Sequence, residues 1–241
     1  MSIQSNEADG FISRDIYNNR GDFMWNEETG RVYSIAKDNA PVRGCTVSKA
    51  VKDGDNSLIY FSLAAKTDIS AEIFPYRKLI IVNEGDLNVY GFTEKSLILN
   101  GGECIVTPAD NTVGFRSEES CVYTEISIRK DDIMNEAVKA GEIFKLGDLL
   151  PYQDGRIVNM DISSNDNYKF VIMSFAAGTG LSEHAAPGEA LIFALDGEGV
   201  ISYEGKDYPI KAGENFSFAK GGMHAVKAEK PFKMALFLTL S

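Results

Sequence analysis

The stretch LIYFSLAAKTDISAEIFPYRKLIIVNEG (residues 58–85) occurs again, in diverged form, as FVIMSFAAGTGLSEHAAPGEALIFALDG (residues 170–197). The two align without a gap at a constant offset of 112 residues. The offset then becomes 111, where GGECIVTPADNTVGF (residues 101–115) matches AGENFSFAKGGMHAV (residues 212–226). An ungapped match with shared Gly and Pro positions indicates two copies of one structural unit, with the one-residue slip in a hairpin loop.

Both copies have the local signals of β-strands. VISYEGKDYPI (residues 200–210) places apolar and aromatic residues around Glu204-Gly205-Lys206, which predicts a hairpin. FKMALFLTL (residues 232–240) is a continuous apolar run, typical of a buried strand. Short strands separated by Gly, Pro, Asn and Asp predict an all-β fold, with a sandwich or a small barrel in each repeat.

Two segments lie outside the repeats. The N-terminal arm, residues 1–41, carries several apolar residues that we expect to pack against a barrel or a partner chain. In DDIMNEAVKAGEIF, Asp131 and Asp132 suit a helix N-terminus, helically spaced apolar residues follow, and Gly141 is a plausible stop. We therefore predict a helical linker. The predicted organisation is an arm (1–41), a first repeat (42–130), the linker (131–150) and a second repeat (151–241).

Composition excludes several classes of function. The chain is 44% hydrophobic and 24% charged, which is enough apolar content for a packed core. With 24 Lys and Arg against 35 Asp and Glu, the net charge of -11 argues against nucleic acid and anionic membranes as partners. There is no apolar run of the roughly 20 residues that a spanning helix needs, and no signal-peptide pattern at the start. The 3 cysteines have no motif spacing, so we expect a reducing, cytoplasmic location.

The chain contains only 2 histidines, and both lie in the second repeat. There, the pattern G-x5-H-x-H-x3–4-E-x6-G falls on Gly178, His184, Ala186, Ala190 and Gly197. The pattern G-x5-P-x-G-x2-H-x3-N falls on Gly213, Ala219, Gly221, His224 and Ala228. These are the two motifs of the cupin superfamily, so the chain resembles a bicupin. The resemblance implies two tandem cupin barrels of the double-stranded β-helix (jelly-roll) type, and a homodimer.

The resemblance also implies a metal cage of three histidines and a glutamate, from which both repeats depart. In the second repeat Ala186 and Ala190 replace one histidine and the glutamate, so His184 and His224 are half of the cage. Glu189 is a candidate third ligand if a bulge redirects it, since it faces the opposite side of a regular strand. Glu183 would orient His184 only if the turn after the strand placed both side chains on the same face.

In the first repeat no histidine remains at these positions. Glu72 stands in place of His184 and Val113 in place of His224, while Phe74 and Lys78 occupy the other two cage positions. One carboxylate is a poor set of ligands for a transition metal. A Phe facing inward suggests a filled barrel. We therefore expect the first repeat to be a structural scaffold.

Three hypotheses about function remain open. In the first, the C-terminal barrel binds a small polar or anionic molecule through His184 and His224, in a concavity left by its small alanines, and the two histidines act as acid or base if catalysis occurs. In the second, His184, His224 and Glu189 hold a divalent transition metal in an isomerase, hydrolase, decarboxylase or dioxygenase. In the third, the barrels form a noncatalytic interaction or sensory module, which predicts a barrel closed by side chains.

Overall fold

A computed structural model describes residues 11–13 and 25–240, and it confirms the predicted all-β architecture. The strands are β1 Phe11–Ser13, β2 Val32–Tyr33, β3 Thr46–Lys52, β4 Leu58–Leu63, β5 Thr67–Ile73, β6 Arg77–Tyr90, β7 Leu97–Asn100, β8 Cys104–Val106, β9 Thr112–Ser117, β10 Cys121–Ile128, β11 Ile133–Met134, β12 Ile143–Phe144, β13 Ile157–Ser164, β14 Tyr168–Phe175, β15 Thr179–Ala185, β16 Ala190–Tyr203, β17 Lys206–Lys211, β18 Asn215–Phe218, β19 Met223–Ala228 and β20 Phe232–Thr239. The helices of the described chain are α1, Ile35–Asp38, and a 3-10 turn, Leu146–Asp148.

The two halves of the chain repeat one sheet topology. Each half forms most of a curled 10-stranded sheet, and the main strand orders are β1-β3-β4-β10-β6-β8-β12 and β11-β13-β14-β20-β16-β18-β2. The long strands β6 and β16 also pair with strands outside this path, β6 with β7 and β9, and β16 with β17 and β19. Strands β5 and β15 complete the two sheets by pairing with β9 and β19. The strands at equivalent places in the two sheets come from the stretches of sequence that the repeat aligns.

The predicted hairpin and the slip in register both occur in the loop after the long strand. In the second half Glu204 and Gly205 join β16 to β17, both with positive φ (49° and 74°), as a two-residue hairpin turn requires. In the first half the loop between β6 and β7 is longer, residues 91–96. A surface loop changes length at little energetic cost, so the two sheets keep the same pairing on either side of it.

Three hydrophobic cores result from the alternation of side chains along the strands. One lies between the halves, because Tyr60 and Ile126 of the first half pack in the same cluster as Phe170 and Phe237 of the second. The other faces of these strands point into the half to which they belong, so that each half has an interior of its own. The interior of the C-terminal half is built around Phe216, Phe218 and Tyr203.

The predicted helical linker is wrong. Ile133–Met134 is strand β11, which pairs with β13, and Ile143–Phe144 is strand β12, which pairs with β8. The carboxylate of Asp132 accepts hydrogen bonds from the amides of Asn56 (2.6 Å) and Asn165 (2.7 Å) in place of capping a helix. A helical pattern of only four apolar residues stabilises a helix weakly. Pairing with two sheet edges and burial of this polar network stabilise the extended conformation more.

The N-terminal arm crosses to the far half of the molecule. Strand β2 pairs with β18, and Trp25 Nε1 donates to Ser217 Oγ (2.9 Å) while its ring stacks on Phe237. The apolar residues expected to pack here include Ile16, Tyr17, Phe23 and Met24, which lie outside the described residues. The described residues include no helix long and apolar enough to span a membrane. The homodimer and the cytoplasmic location stay predictions.

Candidate functional site at the rim of the C-terminal barrel

Strand pairing brings the two histidines together. β15 and β19 are antiparallel neighbours in which His184 is the register partner of His224, next to a shift in register between Leu181 and His184. The two imidazole ring centroids are 4.2 Å apart, with the planes inclined at 52°. The convergence of the two cupin-motif histidines therefore follows from the pairing of two short strands.

Hydrogen bonds to the backbone orient both rings. His184 Nδ1 lies 2.8 Å from the carbonyl oxygen of Ser182, and His224 Nδ1 lies 3.2 Å from that of Gly222. A carbonyl oxygen only accepts, so each Nδ1 carries the proton that it donates. This tautomer leaves the lone pair of each ring on Nε2, the nitrogen available to a ligand.

The two rings differ in burial. His184 is exposed, whereas His224 is 8% exposed and lies against the ring of Phe218, with the centroids 4.3 Å apart. Burial lowers the pKa of His224, and the neighbouring His184 lowers it further, against the opposing effect of the hydrogen bond to Gly222. The lowered pKa favours the neutral form of His224 at pH 7.

The alanines expected to leave a concavity beneath the histidines are packed into the core of this half. Ala186, Ala190 and Ala194 are 3%, 2% and 5% exposed and belong to the packed core of this half, together with Phe216 and Phe218. The large aromatic rings fill the volume that the small side chains leave. The imidazole pair therefore lies at the rim of a filled barrel.

Glu189 and Glu183 contribute no contact to the histidine pair. Glu189 Oε2 accepts a hydrogen bond from Thr239 Oγ1 (3.1 Å) at the end of β20, and Glu183 is exposed on β15. Within residues 11–13 and 25–240, no group of three or more His, Cys, Asp or Glu side chains is arranged to hold a metal ion. The role of Glu189 as a ligand stays a prediction that no described contact supports.

A cavity lies at the mouth of the other barrel. Phe74, expected to fill the first barrel, is half-buried and lines a cavity of about 600 Å3 at its mouth. The lining residues are Gly44, Thr46, Ile59, Phe61, Thr67, Asp68, Ile69, Ser70, Glu72, Phe74, Tyr76, Lys78 and Glu125. The expectation of a filled first barrel is therefore wrong, because the ring lies at the wall of the barrel and not across it.

A buried ion pair forms the deep wall of this cavity. Lys78 Nζ lies 3.1 Å from both carboxylate oxygens of Glu125, and the two residues are only 6% and 3% exposed. Sequence analysis missed this pair because the partners are 47 residues apart. The available signal was a charge within each of two apolar strands, KLIIV and CVYTEISI.

Comparison with known proteins supports the fold. Residues 171–240 match the model of the Cupin domain family, and no curated protein sequence matches the chain. The solved structure of a Cupin 2 conserved barrel domain protein from Leptotrichia buccalis has 26% identity and a TM-score of 0.78, covering 90% of this chain and 99% of that chain.

Two more distant structures share the fold alone. Protein Ylba from E. coli has 13% identity and a TM-score of 0.54, covering 88% of this chain and 92% of its own. A variant of the salicylate 1,2-dioxygenase from Pseudoaminobacter salicylatoxidans has 10% identity and a TM-score of 0.59, covering 86% of this chain and 83% of its own. Residues 171–240 thus match the cupin domain family, and the chain has the cupin fold.

Proposed function

We propose that this protein binds a small polar molecule through His184 and His224 at the rim of the C-terminal barrel. The observation that carries the proposal is the pair itself, two rings 4.2 Å apart whose Nδ1 atoms are both engaged by backbone carbonyl groups. Both Nε2 atoms are then available for one ligand. The partial exposure of the pair gives that ligand access from solvent.

The protonation state selects the chemistry of the ligand. A neutral imidazole offers an acceptor at Nε2, so the pair in its neutral form favours a ligand with two hydroxyl or amine donors. When protonated, both rings become donors and suit an anion. The lowered pKa of His224 favours the first form at pH 7. A neutral Nε2 in contact with a ligand hydroxyl is also a general base, which is how an enzymatic function would arise from this site.

A divalent metal is the second candidate. Histidine ligands to metals usually donate the other ring N–H to a carbonyl or carboxylate, as both rings do here. The donor set, however, is incomplete, since catalytic zinc sites have three protein ligands and the described residues near the pair supply two. The residues present do not fit a resident metal site.

The presence of only two histidines makes the site easy to observe. In a protein with labelled histidine, the imidazole spectrum contains two sets of signals. We would titrate the protein with a panel of small sugars, hydroxy acids and amino acids, and separately with Zn2+. The proposal predicts that a bound polar molecule shifts both sets at the same concentration. It also predicts at least about tenfold weaker binding in His184→Ala and in His224→Ala.

Glu183→Gln is the matched control, because Glu183 is an exposed neighbour that does not contact the pair. It should bind the same molecule as the unchanged protein does. A ligand that binds both histidine variants as tightly as the wild type overturns the proposal. A response to Zn2+ alone at equimolar concentration favours the metal hypothesis. No response from any compound favours the interaction module, which the filled interior of this half also fits.

A further inference from the structure

We infer that the cavity of the N-terminal half is a second binding site, for a small organic cation: a protonated amine attached to an apolar body. The inference rests on the aromatic wall, the buried Lys78–Glu125 pair and the excess of carboxylates around this cavity of about 600 Å3. The site is independent of the histidine pair, which belongs to the other half.

The walls suit the apolar part of such a ligand. Phe61, Phe74 and Tyr76 present aromatic rings to the cavity, and Ile59 and Ile69 add aliphatic surface. The faces of aromatic rings attract cations because of their quadrupole. A cavity of this size with a few polar groups among apolar walls is typical of a small-molecule site.

The cavity already stabilises one ammonium group, that of Lys78. Its Nζ lies 3.5 Å from the centroid of the Phe74 ring and 3.1 Å from each oxygen of Glu125. Carboxylate oxygens and an aromatic face therefore surround a positive charge at a site that is nearly closed to solvent. The two oxygens of Glu125 retain acceptor capacity, since Lys78 is their one hydrogen-bond donor in the described part of the chain and a carboxylate has about four lone-pair positions.

The charges that line the cavity sum to a negative value. Asp68, Glu72 and Glu125 are balanced within the lining by Lys78 alone. Asp68 accepts from the Tyr90 hydroxyl (2.9 Å) and is the register partner of Arg116. Glu72 is exposed at the mouth and has no cationic partner within 4.0 Å among the described side chains. Glu72 is therefore the carboxylate best placed to pair with an incoming cation.

The ionisation of Tyr76 reports the same negative potential. Burial raises the pKa of its hydroxyl, and the charges of Glu125 and Glu72 raise it further. Both carboxylates thus act on one wall of the cavity. A ligand carboxylate entering this space would meet the same repulsion, and Lys78 is already neutralised by Glu125. The electrostatics favour a cation over an anion.

Three probes of similar size separate charge from shape: 2-phenylethylamine, 2-phenylethanol and phenylacetate. We would titrate each into the full chain and follow the backbone amide signals. The amine should bind about fivefold more tightly than the alcohol at low salt, and phenylacetate should bind most weakly. The signals that move should belong to β4, β5 and the start of β6, while the two imidazole signals stay in place.

Glu72→Gln should remove most of the preference for the amine and leave the affinity for the alcohol unchanged. Glu84→Gln, an exposed carboxylate on β6 that does not line the cavity, is the matched control and should keep the preference. Equal or tighter binding of the alcohol or phenylacetate overturns the inference. So does a preference for the amine that survives in Glu72→Gln, or the absence of amine binding at millimolar concentration.

Discussion

The two halves of this molecule have the same strand order and different interiors. In the N-terminal half Glu72 is the register partner of Val113, and in the C-terminal half His184 is the partner of His224 in the matching position. Deeper in, the N-terminal half has Lys78 and Glu125 where the other has Ala190 and Leu236. The N-terminal half thus has a cavity with a buried ion pair where the C-terminal half has apolar side chains.

This difference shows that the shared arrangement of strands, here called the frame, and the interior of each barrel depend on different residues. Gly85 and Gly197 hold matching positions of the frame, and the apolar alternation of the strands is retained in both halves. A few inward positions decide whether the barrel is filled. Variants at matched positions therefore test the comparison directly.

The largest effect should come from breaking the buried pair. Glu125→Ala leaves the ammonium of Lys78 buried without its counter-ion, which should lower the free energy of unfolding by about 3–5 kcal/mol. The combined variant Lys78→Met with Glu125→Leu replaces both charges with apolar side chains of similar size and should be as stable as wild type or more so. Urea unfolding measures both. If Glu125→Ala unfolds like the wild type, the pair is not buried as described.

A cavity variant in each half compares the filled interior with the open one. Phe218 is 1% exposed and contacts His224 and Tyr203, so Phe218→Ala should cost about 3–5 kcal/mol of unfolding free energy. Phe74 lines an open cavity, and Phe74→Ala should cost less than about 2 kcal/mol. Thermal unfolding of both variants gives the ranking. Equal costs would contradict the assignment of one open and one filled barrel.

Substitution of the two matching glycines tests whether both halves depend on the same backbone arrangement. Gly85 and Gly197 have φ values of 81° and 71°, and a Cβ at either would overlap a carbonyl oxygen, that of Ser120 or of Pro231. Gly85→Ala and Gly197→Ala should each lower the free energy of unfolding by about 2 kcal/mol or more. A large effect in one half and none in the other would show that the frame is not shared.

The smallest effect concerns pH. The pKa of His224 is lowered in the folded protein, so below 6.5 the unfolded chain binds a proton that the folded chain does not. Stability should therefore fall as pH drops from 7 through 6.5, the usual pKa of a histidine side chain, towards the lower pKa of the folded state. His224→Gln should lose this part of the dependence. A His224 imidazole signal that titrates above 6.5 would contradict the lowered pKa.

Sequence predicted the frame well and the interior poorly. The repeat predicted the corresponding strands, and the local pattern around Glu204-Gly205 predicted the hairpin. The two motif positions predicted that His184 and His224 lie close together. These features depend on local patterns or on a one-to-one match between the copies. Pairing of residues distant in sequence is not visible in such patterns. For this reason the Lys78–Glu125 pair and the path of the linker were missed.

The predictions of which barrel contains a cavity were wrong because they too depended on residues distant in sequence. Small residues such as Ala186 and Ala190 predicted a concavity, and Phe74 predicted a filled barrel. Whether the space beside a small residue is empty depends on the side chains that extend into it from the opposite strands. Phe216 and Phe218 fill the space beside the alanines, and Phe74 lies at the side of its own barrel.

The tautomers of the two histidines test the central claim most directly, since the proposed site exists only if both Nε2 atoms are free to accept. Long-range 1H–15N spectra of the unliganded protein at pH 7.5 distinguish a protonated Nδ1 from a protonated Nε2 in each ring. We predict that each ring, in its neutral form, carries the proton on Nδ1. A proton on Nε2 of either ring, with Nδ1 unprotonated, would contradict the account.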